Sequence, residues 1–317
     1  MKACITGGAG FIGRALVQHL KNEGVSLRLL SRRKCHSGND DHYFIADLTD
    51  SAVSLNGFFD DVDVIYHCAG ELKDKTVMRS LHVDGTAKLL QAAKNHIDTT
   101  NKPLHWVQLS SVGAYGSPKG KADRERVVVE TTPAIPTGEY EITKTLADEM
   151  VIQFAKMEPL FTYTILRPSN VIGKNMTNQS VRSLINIIKK KHFFYIGSTH
   201  AIATYIHVDD VVDALALCGN DVQARGHIFN LSNDCMLSDI VIAVAKNAGI
   251  TPPTLRIPKQ PIRLLTKLFS LLGITSLTEN RIDALIKRTR YPNQKLKEKL
   301  AFTPRRSIPH MMATFDD

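Results

Sequence analysis

No apolar run in the chain approaches the roughly 20 residues needed to cross a bilayer, which excludes an α-helical membrane protein. Its start does not read as a secretory signal. Met1 to Ile5 leads straight into glycines, with no basic segment ahead of a long apolar one. Cysteine is sparse. Cys4, Cys35, Cys68, Cys218 and Cys235 are odd in number, scattered and free of C-x-x-C spacing, which excludes a disulfide framework and a zinc site. Reduced thiols of this kind fit a cytoplasmic protein. Internal repeats and low-complexity tracts are also missing, so a repeat architecture is excluded. What remains is an ordinary globular composition, 43% hydrophobic and 22% charged over 317 residues, enough for one large domain with a smaller appendage.

The formal charge of +9 raises the question of a polyanionic partner. The basic residues are spread out, with local density at Ser31–Lys34, Lys189–Lys191 and Arg281–Lys299, and no aromatic-interleaved basic motif accompanies them. The reading is therefore no nucleic-acid partner, and a positive surface that steers anionic substrates and cofactors.

Strand-like and helical runs alternate through the first half. Lys2–Thr6 reads as a strand, Phe11–Glu23 as a helix, Ser26–Leu30 as a strand and Val62–His67 as an apolar strand-like run. Val77–Asn95 follows as a helix, Trp106–Ser110 as a strand, Glu139–Met157 as a helix and Phe161–Leu166 as a strand. This alternation predicts an α/β fold of Rossmann type, a doubly wound parallel sheet with ligands beyond the strands' carboxyl ends. Beyond Arg167, helices are expected near Ser180–Lys191, Val208–Leu217, Leu237–Ala248 and Pro261–Leu272, forming a smaller, mostly helical C-terminal substrate lobe. The expected division is a dinucleotide-binding domain over 1–170, with 204–232 returning to its sheet around Tyr205–Val208 and His227–Leu231. The substrate lobe then comprises 171–203 and 233–317.

Thr6-Gly7-Gly8-Ala9-Gly10-Phe11-Ile12-Gly13 ends the first strand and opens the first helix. The glycines allow a tight turn and a close approach of backbone to pyrophosphate, which the helix N-terminus attracts through its free N–H groups and dipole. Gly7, Gly10, Phe11, Ile12 and Gly13 are thus candidate cofactor residues. NAD-binding versions of this turn carry a carboxylate about 20 residues further on, for the ribose 2′-hydroxyl. Here Ser31 stands in that place, followed by Arg32 and Arg33. A hydroxyl and a guanidinium accept a 2′-phosphate that a carboxylate repels, so NADP is favoured over NAD.

Ser110-Ser111 closes a strand, and Tyr140-Glu-Ile-Thr-Lys144 opens a helix. Residues i and i+4 share a helix face, so Tyr140 and Lys144 reach one ligand. A phenol of pKa about 10 is a poor base at neutral pH. A neighbouring ammonium and an oxidised nicotinamide ring are expected to draw it down. Tyr140 is then the proton-transfer group, Ser111 the donor to the substrate oxygen, and Lys144 the partner of both tyrosine and nicotinamide ribose.

These motifs resemble the extended short-chain dehydrogenase/reductase family, in its NAD-dependent epimerase/dehydratase branch acting on nucleotide sugars. The resemblance covers nearly the whole chain. It rests on T-G-G-A-G-F-I-G at Thr6–Gly13, Asp47-Leu48, H-C-A-G at His67–Gly70 and G-T at Gly85-Thr86. It continues through L-S-S-V-G-A-Y-G at Leu109–Gly116, Y-E-I-T-K, L-R-P-S-N-V-I-G at Leu166–Gly173 and Y-I-H-V-D-D-V at Tyr205–Val211. The resemblance selects Ser111 over Ser110 as the catalytic hydroxyl. It also implies that Asp47 and Leu48 meet the adenine, that Ala69, Gly70 and Pro168 line the cofactor, and that Asn170 contacts the substrate diphosphate. A homodimer is implied as well.

Some positions depart from the family. His82 stands where Asn is common before V-x-G-T, and reads as a structural histidine rather than a catalytic one. Ala203 replaces the arginine that often grips the sugar diphosphate. Val112-Gly113 follow Ser111 where sugar 4,6-dehydratases place Asp-Glu, which disfavours elimination. His207-Val-Asp-Asp210 looks metal-like and reads instead as a helix start with N-terminal acids, leaving no metal site. The leading function is NADPH-dependent reduction of a 4-keto nucleotide sugar. A nucleotide-sugar 4-epimerase and a hydroxysteroid- or lipid-type dehydrogenase stay open. The last would use the basic amphipathic stretch Pro261–Leu272 against a membrane, although packing of that stretch on the substrate lobe is preferred.

Overall fold

The computed structural model describes residues 1–33, 42–117, 124–176, 179–197, 200–260, 262 and 279–315. Lys34, Cys35 and most of the Pro261–Leu272 stretch lie outside the described residues. So do the side chain of Arg281 and the membrane contact considered for that stretch.

In the first strand, β1 (Lys2–Thr6), Ala3 and Ile5 point to one face and Cys4 to the other, all fully buried. A strand apolar on both faces belongs in the middle of a sheet covered on both sides. The remaining strands are β2 (Ser26–Ser31), β3 (His42–Ile45), β4 (Val64–His67), β5 (Leu104–Leu109), β6 (Phe161–Pro168) and β7 (His227–Leu231). They form one seven-stranded sheet in the order β3-β2-β1-β4-β5-β6-β7, with every neighbouring pair parallel. The order reverses between β1 and β4, where Thr6 is in register with His67. A crevice opens at such a switch point, beyond the carboxyl ends of the strands.

Helices α1 (Phe11–Asn22) and α6 (Val208–Asn220) cover one face, burying Leu16, Leu20, Val211 and Leu215 against Ala3 and Ile5. On the other face, α3 (Gly85–Thr100) and α4 (Glu139–Met157) bury Leu89, Ala93 and Val151 against Cys4, Ile65 and Trp106. A short helix α2 (Lys75–Arg79) leads into α3 through one π turn at Ser80–Asp84, where a single uninterrupted helix was expected over Val77–Asn95. A separate apolar cluster joins α5 (Gln179–Lys189), α7 (Leu237–Asn247) and the helix Ile308–Ala313 through residues such as Val181, Ile185, Ile240, Val244 and Met312.

Two differences from the sequence reading concern strands. β3 was not expected. Tyr205–His207 was expected to rejoin the main sheet, but it pairs with Asn170–Ile172 in a two-stranded ladder of its own, while His227–Leu231 forms the outer strand. Beyond Pro168 the chain leaves the main sheet, so the partner available to Tyr205–His207 is Asn170–Ile172. Among the described residues, no helix is long and apolar enough to cross a membrane.

Candidate active site

Gly7 adopts a left-handed φ of 70°, and a Cβ there would lie 2.6 Å from the Ala69 nitrogen. A Cβ on Gly13 would lie 2.1 Å from the Gly7 carbonyl oxygen. Neither position admits a side chain. Gly10 caps α1 without a side-chain hydrogen bond, and the first turn of α1 holds no acidic residue. The N-terminal amides of α1 therefore face the crevice with no anion of the chain's own, as a diphosphate requires. A cavity of about 860 Å³ opens beside this turn, bordered by Ala9, Gly10, Phe11, Arg14, Gly173 and Lys174 among others. Its walls include none of Ser111, Tyr140 or Lys144. It borders the start of α1 and does not reach those three side chains.

At the end of β2, Arg32 is exposed and Ser31 half-buried. The Ser31 hydroxyl donates to the Arg33 carbonyl at 2.7 Å, so its proton is committed to its own turn, while Arg32 beside it is exposed. Asp47 accepts from the Thr49 amide at 2.9 Å and its hydroxyl at 2.8 Å, and these bonds hold its carboxyl below the usual range, with Arg32 adding to the effect. Asp47 and Arg32 thus share one corner of the site. Leu48 departs from expectation: its side chain is 2% exposed and packs in the core, leaving its backbone as the part that can reach an adenine. Ala69 is buried against Gly7, and Gly70 beside it is exposed.

The start of α4 is fixed by Glu141, whose carboxylate accepts from the Gly138 amide at 2.9 Å and from the Thr137 amide and hydroxyl at 3.1 Å each. This is the N3 half of a capping box, and it sets where Tyr140 leaves the helix. Lys144 lies one turn on, 5% exposed, and Asp148 another turn on, fully buried. Asp148 Oδ2 accepts from Ser110 Oγ at 2.7 Å and from Arg167 Nη2 and Nε at 3.0 and 3.2 Å. Burial pushes the Asp148 carboxyl up while Arg167, Ser110 and Lys144 pull it back. With these donors converging on one oxygen, the pair stands as an ion pair. Arg167 also covers the Tyr115 ring at 5.0 Å, and the Tyr115 hydroxyl donates to Asn230 Oδ1 at 2.8 Å.

This network separates the two adjacent serines. Ser110 is 3% exposed and spent on Asp148, whereas half-buried Ser111 begins a 3₁₀ turn (Val112–Tyr115) and accepts from the Gly113 amide at 3.0 Å, keeping its own proton to donate. Pro168 is buried at the end of β6. Asn170 is exposed just beyond, its amide held by the Thr204 carbonyl at 3.1 Å. The fall expected for Tyr140 beside an oxidised nicotinamide ring does not come from the protein's own groups. Burial, with Asp148 and Glu141 adding to it, pushes the Tyr140 phenol up to about 12 instead of down. Burial lowers the Lys144 ammonium, with Asp148 and Cys68 opposing the fall. The protein alone keeps Tyr140 protonated, in the form that gives a proton.

A hydrogen-bond chain runs behind this surface through Thr6, His67, Thr86 and His82, each at most 1% exposed. The Ala69 amide donates to Thr6 Oγ1 at 3.2 Å, and the Thr6 hydroxyl donates to His67 Nδ1 at 2.6 Å. His67 Nε2 donates to Thr86 Oγ1 at 3.1 Å, and the Thr86 hydroxyl to the His82 carbonyl at 2.6 Å. His82 is a satisfied histidine, as the sequence reading has it. Sequence reasoning missed the rest of this chain and the Asp148–Arg167 pair. Asp148 had one signal, its place at i+8 from Tyr140 and i+4 from Lys144 on a single helix face. The acidic run near His207 is structural: His207 caps α6, and Asp210 accepts from the Arg305 and Arg306 amides and the Arg306 guanidinium. Among the described residues, no group of His, Cys, Asp and Glu is placed to hold a metal.

The profile of the NAD dependent epimerase/dehydratase family matches residues 3–232. The chain belongs to this family. It is therefore a nicotinamide-dinucleotide-dependent enzyme of the extended short-chain dehydrogenase/reductase type. Among curated family relatives, the 4-hydroxy-2-methyl-3-oxo-4-farnesyl-3,4-dihydroquinoline-1-oxide ketoreductase of Stigmatella aurantiaca is 25% identical over 90% of this chain and 84% of its own length. The UDP-glucose 4-epimerase of Haemophilus influenzae is 28% identical over 79% of this chain and 84% of its own. The crystal structure of UDP-glucose 4-epimerase from Thermotoga maritima, with UDP-glucose, superposes with a TM-score of 0.72 over 99% of this chain and 97% of the other, at 19% identity. That likeness speaks for the fold.

Proposed function

We propose that the enzyme reduces a ketone with NADPH, with a 4-keto nucleotide sugar as the leading substrate class. The observation that carries this reading is Arg32 at the end of β2, where a carboxylate would select NAD. A cofactor used as a reductant must be exchanged each cycle, and cellular reductions draw on the phosphorylated form. Residues 1–170, with 204–232, are proposed to hold the dinucleotide, and 171–203 with 233–317 the substrate.

When bound, the dinucleotide supplies the hydride that becomes the new C–H bond. The α1 amides and Gly7–Gly13 hold its diphosphate, Arg32 pairs with the 2′-phosphate, and Asp47, Ala69, Gly70 and Pro168 border the rest. Ser111 Oγ donates to the ketone oxygen and fixes it. Tyr140 gives its phenolic proton to that oxygen as negative charge develops there, and Lys144 stabilises the phenolate left behind. Asn170 faces the substrate diphosphate. Substrate identity can also lie outside sugars: the Stigmatella relative is named for a farnesylated quinoline ketone, and Ala203 offers no charge to a diphosphate. An apolar ketone is accordingly the second reading.

The test supplies NADPH deuterated at the transferred position together with keto nucleotide sugars and apolar ketones. Reduction is expected to consume NADPH one-for-one and place the label in the product. Interconversion of two 4-hydroxy sugars, with no net NADPH loss and no label uptake, would replace reduction by epimerisation.

A further inference from the structure

Where α2 meets α3, the helix departs from α geometry for one turn, Ser80–Asp84, and His82 sits in it. Such π turns are uncommon and concentrate at functional sites. The ring of His82 is 1% exposed and bonded on both sides. Its Nε2 accepts from the Glu71 amide at 2.8 Å; an amide can only donate, so the ring proton is on Nδ1. Nδ1 then donates to Thr143 Oγ1 at 2.8 Å, while the Thr143 hydroxyl donates to the Glu139 carbonyl at 2.8 Å, with the Tyr140 carbonyl at 3.2 Å. The ring also meets the Tyr140 ring edge-on, with centroids 5.7 Å apart at 82°. On its other side it borders Gly70, where a Cβ would lie 3.5 Å from Nε2.

One neutral imidazole therefore joins two parts of the site that are distant in sequence. One is the Gly70–Glu71 segment after β4, beside the dinucleotide; the other is the first turn of α4, which carries Tyr140. We infer that His82 is a positioning residue, whose Nε2 holds the Gly70–Glu71 segment in its dinucleotide-lining place and whose Nδ1–H and ring edge hold Tyr140 in line for proton transfer. It is not the acid or base itself. Burial and the Lys144 ammonium push it down to about 3, so at neutral pH it is a neutral ring and a weak base, with both nitrogens already bonded. Its backbone carbonyl, taking the Thr86 hydroxyl, extends the tie through His67 to Thr6 at the head of the phosphate turn.

The inference rests on the proposed reductase reading for its kinetic half and on dinucleotide binding alone for the other half. The two ring nitrogens allow them to be separated. In His82→Asn the amide NH₂ takes the place of Nδ1, keeping the Thr143 bond and losing the Glu71 bond. In His82→Gln the amide oxygen takes the place of Nε2, keeping the Glu71 bond and losing the Thr143 bond. Dinucleotide affinity is read by fluorescence titration of NADPH without substrate, turnover at saturating cofactor, and folding by thermal melts.

The expected result is a split. His82→Asn weakens NADPH about tenfold with kcat kept within about threefold, and His82→Gln does the reverse, as the loss of one buried hydrogen bond on each side implies. Thr143→Val keeps the shape, removes the hydroxyl, and should reproduce the kcat loss if His82→Gln folds poorly. Parallel losses of affinity and kcat in both variants, or losses in thermal stability alone, would reduce His82 to a packing residue and overturn the inference. If the unmodified enzyme reduces no ketone, the functional reading fails. The affinity ratio of the two variants then decides the Gly70–Glu71 half by itself: equal affinities overturn it.

Discussion

Replacing Asp148 with alanine removes the carboxylate that three donors share. Arg167, 5% exposed, then keeps its guanidinium in the interior with the oxygen at 3.0 and 3.2 Å gone, and the Ser110 hydroxyl loses its acceptor at 2.7 Å. Breaking a buried pair from one side costs about 3–5 kcal/mol, because the remaining charge is left uncompensated. That is a large share of the roughly 5–15 kcal/mol by which a native fold is held. Asp148→Asn keeps an acceptor for Ser110 and for one guanidinium N–H, so its cost is smaller and falls between the native protein and the alanine variant. Urea unfolding with an unchanged m-value measures both, since a shift in midpoint at constant m is a change in stability alone. A loss below about 1 kcal/mol for Asp148→Ala, within the range of exposed salt bridges, would refute the reasoning.

Arg32→Ala should erode the preference for NADPH over NADH by about 1.5–3 kcal/mol, the worth of a hydrogen bond to a charged group, as read from the two dissociation constants; equal affinities in the unmodified enzyme would contradict the cofactor assignment. Stability should fall with acid. Burial holds His82 at about 3 and His105 at about 4, and His67 well below its ordinary 6.5. The unfolded chain takes up these protons as pH drops through 6.5 and the folded chain does not. Stability is therefore fully present above that pH and is lost below it, at up to about 1.4 kcal/mol per pH unit for each histidine. Unfolding midpoints measured from pH 7.5 down to about 4.5 check this, and a flat profile would contradict it.

The parts of the fold that repeat were legible in the sequence, because they follow from period alone. Glu139–Met157 and β1 occur with the expected bounds, and the glycines at Gly7 and Gly13 are where a side chain has no room. β3 escaped because four residues are too few to show alternation. The π turn at Ser80–Asp84 escaped because it adds one residue to a helix without changing which residue types are apolar. Tyr205–His207 reads as a strand, but the sequence does not say which strand it meets. In the site, the motifs singled out Ser111, Tyr140 and Lys144, while the upward shift that the protein's own groups give Tyr140 was not legible. Attraction to Lys144 and an oxidised nicotinamide ring was counted and the cost of burying a phenolate near Asp148 was not, since the burial depends on tertiary packing. The Thr6–His67–Thr86–His82 chain joins segments up to 80 residues apart through side chains that each look unremarkable alone.

The central claim is that Tyr140 supplies the proton for hydride transfer from a nicotinamide dinucleotide. Tyr140→Phe keeps the ring against His82 and removes only the hydroxyl, so the measurement is single-turnover transfer of deuterium from labelled NADPH to the ketone, beside the NADPH dissociation constant. The account predicts a transfer rate lower by about 10²–10⁴-fold, as for lost general acid catalysis, with cofactor affinity nearly unchanged. Label transfer at a near-native rate in Tyr140→Phe would contradict it.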